Sequence, residues 1–269
     1  MKNNQQIHLQ DVQNVYSGPE GRLWELIMGE QIHIGGLVSS MDLAAKAGIR
    51  QGTSGVDFCC CNGAGMRFLM RFCRVASMTG VDATKTMVQQ CKERCRQENL
   101  AEPISCVLAD VCDSGLPSDA FDFVWGEDAW CYVEDKDALI REAVRIVKPG
   151  GTIAFTDWVE GPAGLSDSEA QRFLTFMKFP NILDISGYRN LLQANGCRIR
   201  HAEDTGRFGP SVDLYVEMVG KQLTYDALKI IGFDRNLLGT ISEEMNFMQT
   251  LAHAGKIAQG LFVAVKTID

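Results

Sequence analysis

The chain has 269 residues, 46% of them apolar, enough for one large domain with a well-buried core. A formal net charge of -8 without any lysine and arginine run argues against nucleic acid as a partner, and no apolar stretch approaches the length that crosses a bilayer. The polar opening MKNNQQIHLQ lacks the apolar core of a secretory signal, which predicts a cytoplasmic protein. Ten cysteines spread along so large a chain are expected to be reduced thiols that serve as small hydrophobes.

Residues 1–50 read as one or two helices, an N-terminal helical cap ahead of the first strand. From residue 51 onward β-rich runs alternate with amphipathic segments, the pattern of a parallel sheet with crossover helices. Strands are predicted at 55–60, 76–82, 104–109, 121–126, 152–158, 197–204 and 261–266. The fold class is therefore α/β: a doubly wound, seven-stranded, mostly parallel sheet in a Rossmann-like domain spanning 51–269. The segment ATKTMVQQCKERCRQENL predicts an amphipathic helix. In KDALIREAVRIVKPGG, Leu139, Ile140, Ala143, Val144 and Val147 share a helical face that Pro149-Gly150-Gly151 ends. LSDSEAQRFLTFMKF opens with a capping box from Ser166 to Glu169. A helical insertion at about 206–257 precedes the last strand. Ligands of open α/β sheets sit beyond the carboxyl ends of the strands, so helices added at that edge predict a lid.

The polar residues that end these strands are spaced as a nucleotide site requires. Asp57 lies in the first strand, Gly63-Ala64-Gly65 opens the following helix, and Asp82 closes the second strand in TGVDAT. A carboxylate roughly 20 residues past the glycine turn accepts hydrogen bonds from ribose hydroxyls. Asp110, in LADV at the end of the third strand, is placed to accept from the exocyclic amine of an adenine. One such Asp alone is more often a turn residue; the ordered set points to an adenosine clamp. A dinucleotide also needs a G-x-G-x-x-G turn for its pyrophosphate, and VDFCCCNGAG lacks it. S-adenosylmethionine has no phosphate and needs only close backbone approach.

The series VDFCCCNGAG, TGVDAT, LADV, FDFVWGEDAW and IVKPGGTIAFTDW resembles the motifs of the class I S-adenosylmethionine-dependent methyltransferases over most of residues 51–160. IHIGG, WGEDAW and HAGKIAQGLFVAVK are similar to the sarcosine and dimethylglycine N-methyltransferase type of small-molecule methyltransferases. The resemblance implies S-adenosylmethionine as cofactor. It puts the glycine-rich turn on Asp57, Cys59, Cys61 and Gly63, the ribose acid on Asp82 with Ala83 beside it, and the adenine-side acid on Asp110 with Val111. Cys59 and Cys61 stand where glycine is usual, and a β-carbon disfavours positive φ, so the loop is expected to differ slightly or the ligand to shift.

Methyl transfer needs no covalent nucleophile; it needs the acceptor held at near-attack geometry with water excluded. Glu127 and Asp128 in WGEDAW are candidates to contact the cofactor's amino group or a cationic substrate and to assist proton loss. Trp130 and Tyr132 are candidates to hold a cation on an aromatic face. Capping and core packing are the competing readings of these four. Asp157, with Trp158, ends the fifth strand; His33 in QIHIGG and Tyr16 in VYSGPEG are further candidates, and His253 ranks lower. A carboxylate-bearing substrate would call on an arginine, with Arg67, Arg189 and Arg207 available. Adjacent cysteines on a strand point to opposite faces and no C-x-x-C occurs, so no metal site is predicted. The expected function is methylation of a small molecule, most simply at an amine nitrogen of a glycine-like derivative. Oxygen, sulfur or carbon acceptors, a non-catalytic S-adenosylmethionine-binding protein and, behind these, a dinucleotide oxidoreductase stand as alternatives. A homo-oligomer is left open.

Overall fold

The computed structural model describes residues 2–4 and 6–268. A two-residue strand, β1 (Lys2–Asn3), is followed by α1 (Leu9–Ser17), α2 (Pro19–Met28) and α3 (Gly36–Ala47). Pro19 at the start of α2 occupies a turn whose N–H has no partner to lose. Alternation then begins: β2 (Ser54–Phe58), α4 (Ala64–Phe68) running into a π turn at Leu69–Cys73, β3 (Ser77–Asp82), α5 (Lys85–Gln97) and β4 (Ile104–Leu108). It continues with β5 (Phe121–Glu127), a 3-10 turn at Trp130–Tyr132, α6 (Lys136–Ile146) and β6 (Val147–Glu160). The remainder is α7 (Asp167–Met177), β7 (Asn181–Ile182), α8 (Ile185–Ala194), β8 (Cys197–Asp204), α9 (Phe208–Gly220), α10 (Thr224–Ile230), α11 (Arg235–His253) and β9 (Ile257–Lys266).

All seven predicted strands join one sheet in the order β4-β3-β2-β5-β6-β9-β8. The pairs from β4 through β6 are parallel, and β9 runs antiparallel between β6 and β8. Both faces are covered. Leu43, Ala44, Met66, Val88 and Cys95 place α3, α4 and α5 on one face, and Leu139, Ala143, Tyr188 and Leu192 place α6 and α8 on the other. Because the order reverses between β2 and β5, the loops that leave these neighbours diverge and open a crevice at their carboxyl ends.

Three expectations change. Helix α6 ends at Ile146, and Val147 enters β6 opposite Phe121, so Pro149-Gly150-Gly151 lies within the strand at a register shift. Val147 is fully buried there, so its apolar character suited either element. Residues 1–50 hold three helices. The last, α3, packs on the sheet, whereas α1 and α2 share an apolar cluster with the helices near 206–257: Val15, Trp24 and Ile27 join Phe208, Val212, Met245 and Leu251. Finally, Cys91 of α5 and Cys106 of β4 form a disulfide, where reduced thiols were expected. The cause is packing, since α5 lies against β4 and brings the two Cα atoms to 6.7 Å. Cys95 offers a third sulfur within 4.8 Å of both.

Two expected substrate contacts are core residues. Trp130 is fully buried and stacks on Phe155 with ring centroids 3.9 Å apart, because the 3-10 turn folds it back onto the sheet. Asp157 is also fully buried. Its carboxylate accepts from the Tyr188 hydroxyl and from the Cys131 amide at 3.0 Å, and Lys136, whose ammonium reaches the Val133 carbonyl at 2.5 Å, lies close enough to favour its charge. Burial nonetheless pushes the Asp157 carboxyl up to about 7.

Two predictions follow from this packing. Phe208→Ala should lower stability by about 3–5 kcal/mol in urea unfolding, because Phe208 meets Trp158 edge to face at 4.7 Å in the cluster that joins the N-terminal helices to α9–α11. For Asp157, the folded carboxyl binds its proton more tightly than the unfolded one, so stability falls as pH rises from about 4 to about 7 and is level above that. Relative to Asp157→Asn, the wild type should lose about 1.4 kcal/mol per pH unit at the steepest point. Paired unfolding curves from pH 4 to 8 check this, and parallel curves for the two proteins would refute it.

Candidate active site

A cavity of about 1010 Å³ opens at the carboxyl ends of β2 to β5. It is at the upper end of small-molecule sites, enough for a nucleoside-sized ligand and a second molecule. Its floor is the loop after β2. Cys59 (φ 61°) and Cys61 (φ 47°) both adopt the left-handed backbone, as does Gly63 (φ 80°). Of the two outcomes expected of cysteine here, an altered loop is corrected: both cysteines take the left-handed conformation that glycine favours, at a cost of roughly 1–2 kcal/mol per residue. The loop is held from outside itself. The Cys61 amide donates to Asp82 Oδ2 at 2.9 Å, and the Cys60 amide to the Val81 carbonyl at 3.2 Å. Gly63 does not line the cavity; a β-carbon there would come 2.7 Å from Cys91 Sγ, so its role is to let the turn pass over α5.

Four carboxylates reach the interior from successive strand ends: Asp57, Asp82, Asp110 and Glu127. Asp82 accepts from Cys61 and, at 2.8 Å, from the Thr84 amide, while Asp110 accepts from Cys112 at 2.8 Å in a tight turn. Ala83 and Val111 line the cavity beside them. Asp57 and Glu127 converge over Gly65, where a β-carbon would lie 2.9 Å from Glu127 Oε2 and 3.1 Å from Asp57 Oδ2. Burial, then the charges of Glu127 and Asp82, push the Asp57 carboxyl well above the usual range. Among the described residues, no hydrogen-bond donor reaches it and no lysine or arginine neutralises the pair, so this end of the cavity favours a cationic group.

His33 and Asp128 line the cavity but are held by neighbours. Ser40 donates to Glu127 Oε1 at 2.6 Å, and His33 Nε2 lies 3.1 Å from Ser40 Oγ and 3.3 Å from Glu127 Oε1. His33 Nδ1 lies 3.3 Å from the Ile34 carbonyl, so both ring nitrogens are engaged and the ring is held against Glu127, which it positions. Asp128 accepts from the Ile34 amide at 2.7 Å and from Gln259 Nε2 at 2.9 Å, tying the N-terminal segment to β9. Its burial raises its carboxyl, and the bonds and His33 oppose that rise.

On the remaining wall, Tyr16 and Tyr132 meet edge to face with centroids 5.5 Å apart. Burial pushes both phenols well above their ordinary value. Trp130 and Asp157 do not line the cavity, and neither do Arg67, Arg189 and Arg207. Arg67 is engaged by Glu30 and Glu98, Arg207 by Asp42, and His253 at the end of α11 pairs with Asp213 of α9 at 2.7 Å. Sequence reasoning passed over Asn62, which donates to the Glu30 carbonyl at 3.0 Å and accepts from Ala64 at 3.0 Å, binding the cofactor-side loop to the N-terminal segment. It also passed over Glu30, Ile32, Leu183 and Leu191, which the tertiary fold alone brings to the cavity.

Comparison with known proteins agrees with this geometry. The family described as "Methyltransferase domain" matches residues 56–155. The chain is 26% identical over 169 residues to 27-O-demethylrifamycin SV methyltransferase of Amycolatopsis mediterranei, covering 62% of this chain and 61% of that one. The chain spans about half to three fifths of the length of the first such relatives. Phosphoethanolamine N-methyltransferase 2 of Haemonchus contortus, solved with phosphomonomethylethanolamine and S-adenosylhomocysteine, superposes with a TM-score of 0.84 at 20% identity, over 95% of this chain and 58% of that one. A candidate sarcosine dimethylglycine methyltransferase of Galdieria sulphuraria gives 0.76 at 22% over 86% of each chain, and the [4+2]-cyclase SpnF gives 0.75 at 18% over 97% and 96%. No described helix is long and apolar enough to cross a membrane. Residues 56–155 thus match a methyltransferase domain, in a chain that shares its fold with these solved methyltransferases.

Proposed function

We propose that the chain is an S-adenosylmethionine-dependent methyltransferase of a small molecule, with an amine nitrogen as acceptor. The observation that carries this reading is the buried Asp57 and Glu127 pair over Gly65, which no lysine or arginine among the described residues neutralises and which continues into Asp82 and Asp110. These groups fit the cofactor's chemistry: Asp57 and Glu127 would take its ammonium, Asp82 its ribose hydroxyls and Asp110 its adenine amine. When bound, the cofactor supplies a methyl group on a sulfonium sulfur. Tyr16 and Tyr132 stay protonated at neutral pH, so they orient an acceptor by hydrogen bond and aromatic face and are not bases. An amine therefore has to lose any proton before its lone pair faces the methyl group. Leu9, Val12 and Tyr16 of α1 line the cavity, and the cluster shared with α9–α11 supports the N-terminal helices and the insertion acting together as a lid that excludes water.

A hydroxyl, thiol or carbon acceptor is the nearest alternative. A second reading is a non-catalytic S-adenosylmethionine-binding protein, and a [4+2]-cyclase among the structures of this fold is in keeping with a role other than methyl transfer. Calorimetry with S-adenosylmethionine, followed by an assay for S-adenosylhomocysteine across acceptors, separates them. Asp110→Ala should weaken cofactor binding by about 10-fold or more, the worth of a hydrogen bond to a charged group, with stability changed by less than about 1 kcal/mol. Unchanged affinity would remove Asp110 from the site. Product formed with an amine supports methyl transfer; cofactor binding without product from any acceptor supports the second reading.

A further inference from the structure

We propose that the acceptor carries no carboxylate or phosphate: it is a largely hydrocarbon molecule, uncharged or bearing a basic nitrogen, whose polar group is the atom to be methylated. This rests on the methyltransferase reading and narrows it, setting aside the glycine-like derivative.

The cavity's charge decides the matter. Nine carboxylate side chains line it, against Lys136 as the single lysine or arginine among the described lining residues. Four of the nine, Asp57, Asp82, Asp110 and Glu127, belong to the proposed cofactor side. S-adenosylmethionine carries a sulfonium, an ammonium and a carboxylate, a net single positive charge, so it leaves that wall negative. Of the others, Asp128 is satisfied by Ile34 and Gln259, Asp135 caps α6 through Ala138, and Asp137 pairs with Arg141.

Lys136 is not a free anion partner. Its ammonium donates to the Val133 carbonyl at 2.5 Å and the Cys131 carbonyl at 3.3 Å, and it faces the buried Asp157. An anionic acceptor would lose water, meet no arginine fork and sit within a field of its own sign. The wall left for it offers no free cation among the described residues and is largely carbon: Val12, Tyr16, Ile32, Tyr132 and Val133 line it, with Leu183 further along. An amine or hydroxyl keeps its hydrogen bonds there through the two phenols.

The test compares acceptors that differ only in an anionic group: tyramine with tyrosine, phenethylamine with phenylalanine, and ethanolamine with phosphoethanolamine. S-adenosylhomocysteine release gives kcat/KM for each, and saturation-transfer NMR on protein loaded with S-adenosylhomocysteine gives relative binding without turnover. The member without the anion should be preferred by at least about 10-fold, the factor that about 1.4 kcal/mol commands. Equal use, or preference for the carboxylate or phosphate, overturns the proposal. Calorimetry of S-adenosylmethionine without acceptor is run beside it: absence of cofactor binding would overturn the methyltransferase reading itself, whereas intact binding with the wrong acceptor preference would overturn only the narrower inference.

Discussion

Asp82 accepts the Cys61 amide through one oxygen and the Thr84 amide through the other, and so locks the loop after β2 to the start of α5. The rest of the site depends on this clamp. Cys59 and Cys61 sit in left-handed conformations that cysteine does not favour, and an external acceptor for the Cys61 amide is what offsets that cost. Once the loop is fixed, Gly65 passes beneath Asp57 and Glu127 closely enough to leave no room for a β-carbon. The clamp also explains why burial raises the Asp82 carboxyl only partly, since its two backbone donors favour the charged form.

A second buried network joins the parts of the chain that the sheet does not. Asp128 links Ile34 to Gln259, and Ser40 links His33 to Glu127, so the segment before β2 is held against the ends of β5 and β9 by hydrogen bonds as well as by packing. Breaking one partner would strand a buried charge, which costs far more than the bond contributes. This makes the segment a fixed wall of the cavity, and it assigns positioning roles to His33 and Asp128.

Much of the fold was legible because parallel strands buried on both faces write themselves as apolar runs, and each crossover helix carries a period near 3.6. The acids Asp57, Asp82 and Asp110 were legible as residues at the carboxyl ends of such runs, the edge at which the crevice opens. Trp130 and Asp157 misled because both follow apolar strand residues in motifs placed at the open edge of the sheet. A 3-10 turn folds Trp130 back onto Phe155, and Tyr188 from α8 reaches Asp157 within the core. Neither turn geometry nor the approach of a distant helix is encoded in local spacing.

The sequence by itself determined the order of strands and helices, the strand-end carboxylates and the family-like loop, since each rests on residues near one another in the chain. Only the tertiary structure decided what surrounds them. That Asp57 and Glu127 converge with no lysine or arginine beside them among the described residues, that Arg67 and Arg207 are spent on Glu30 and Asp42, and that Cys91 meets Cys106 all depend on contacts between segments far apart in sequence. Electrostatics and packing are set by distance in space, and a residue's neighbours in the chain do not report it.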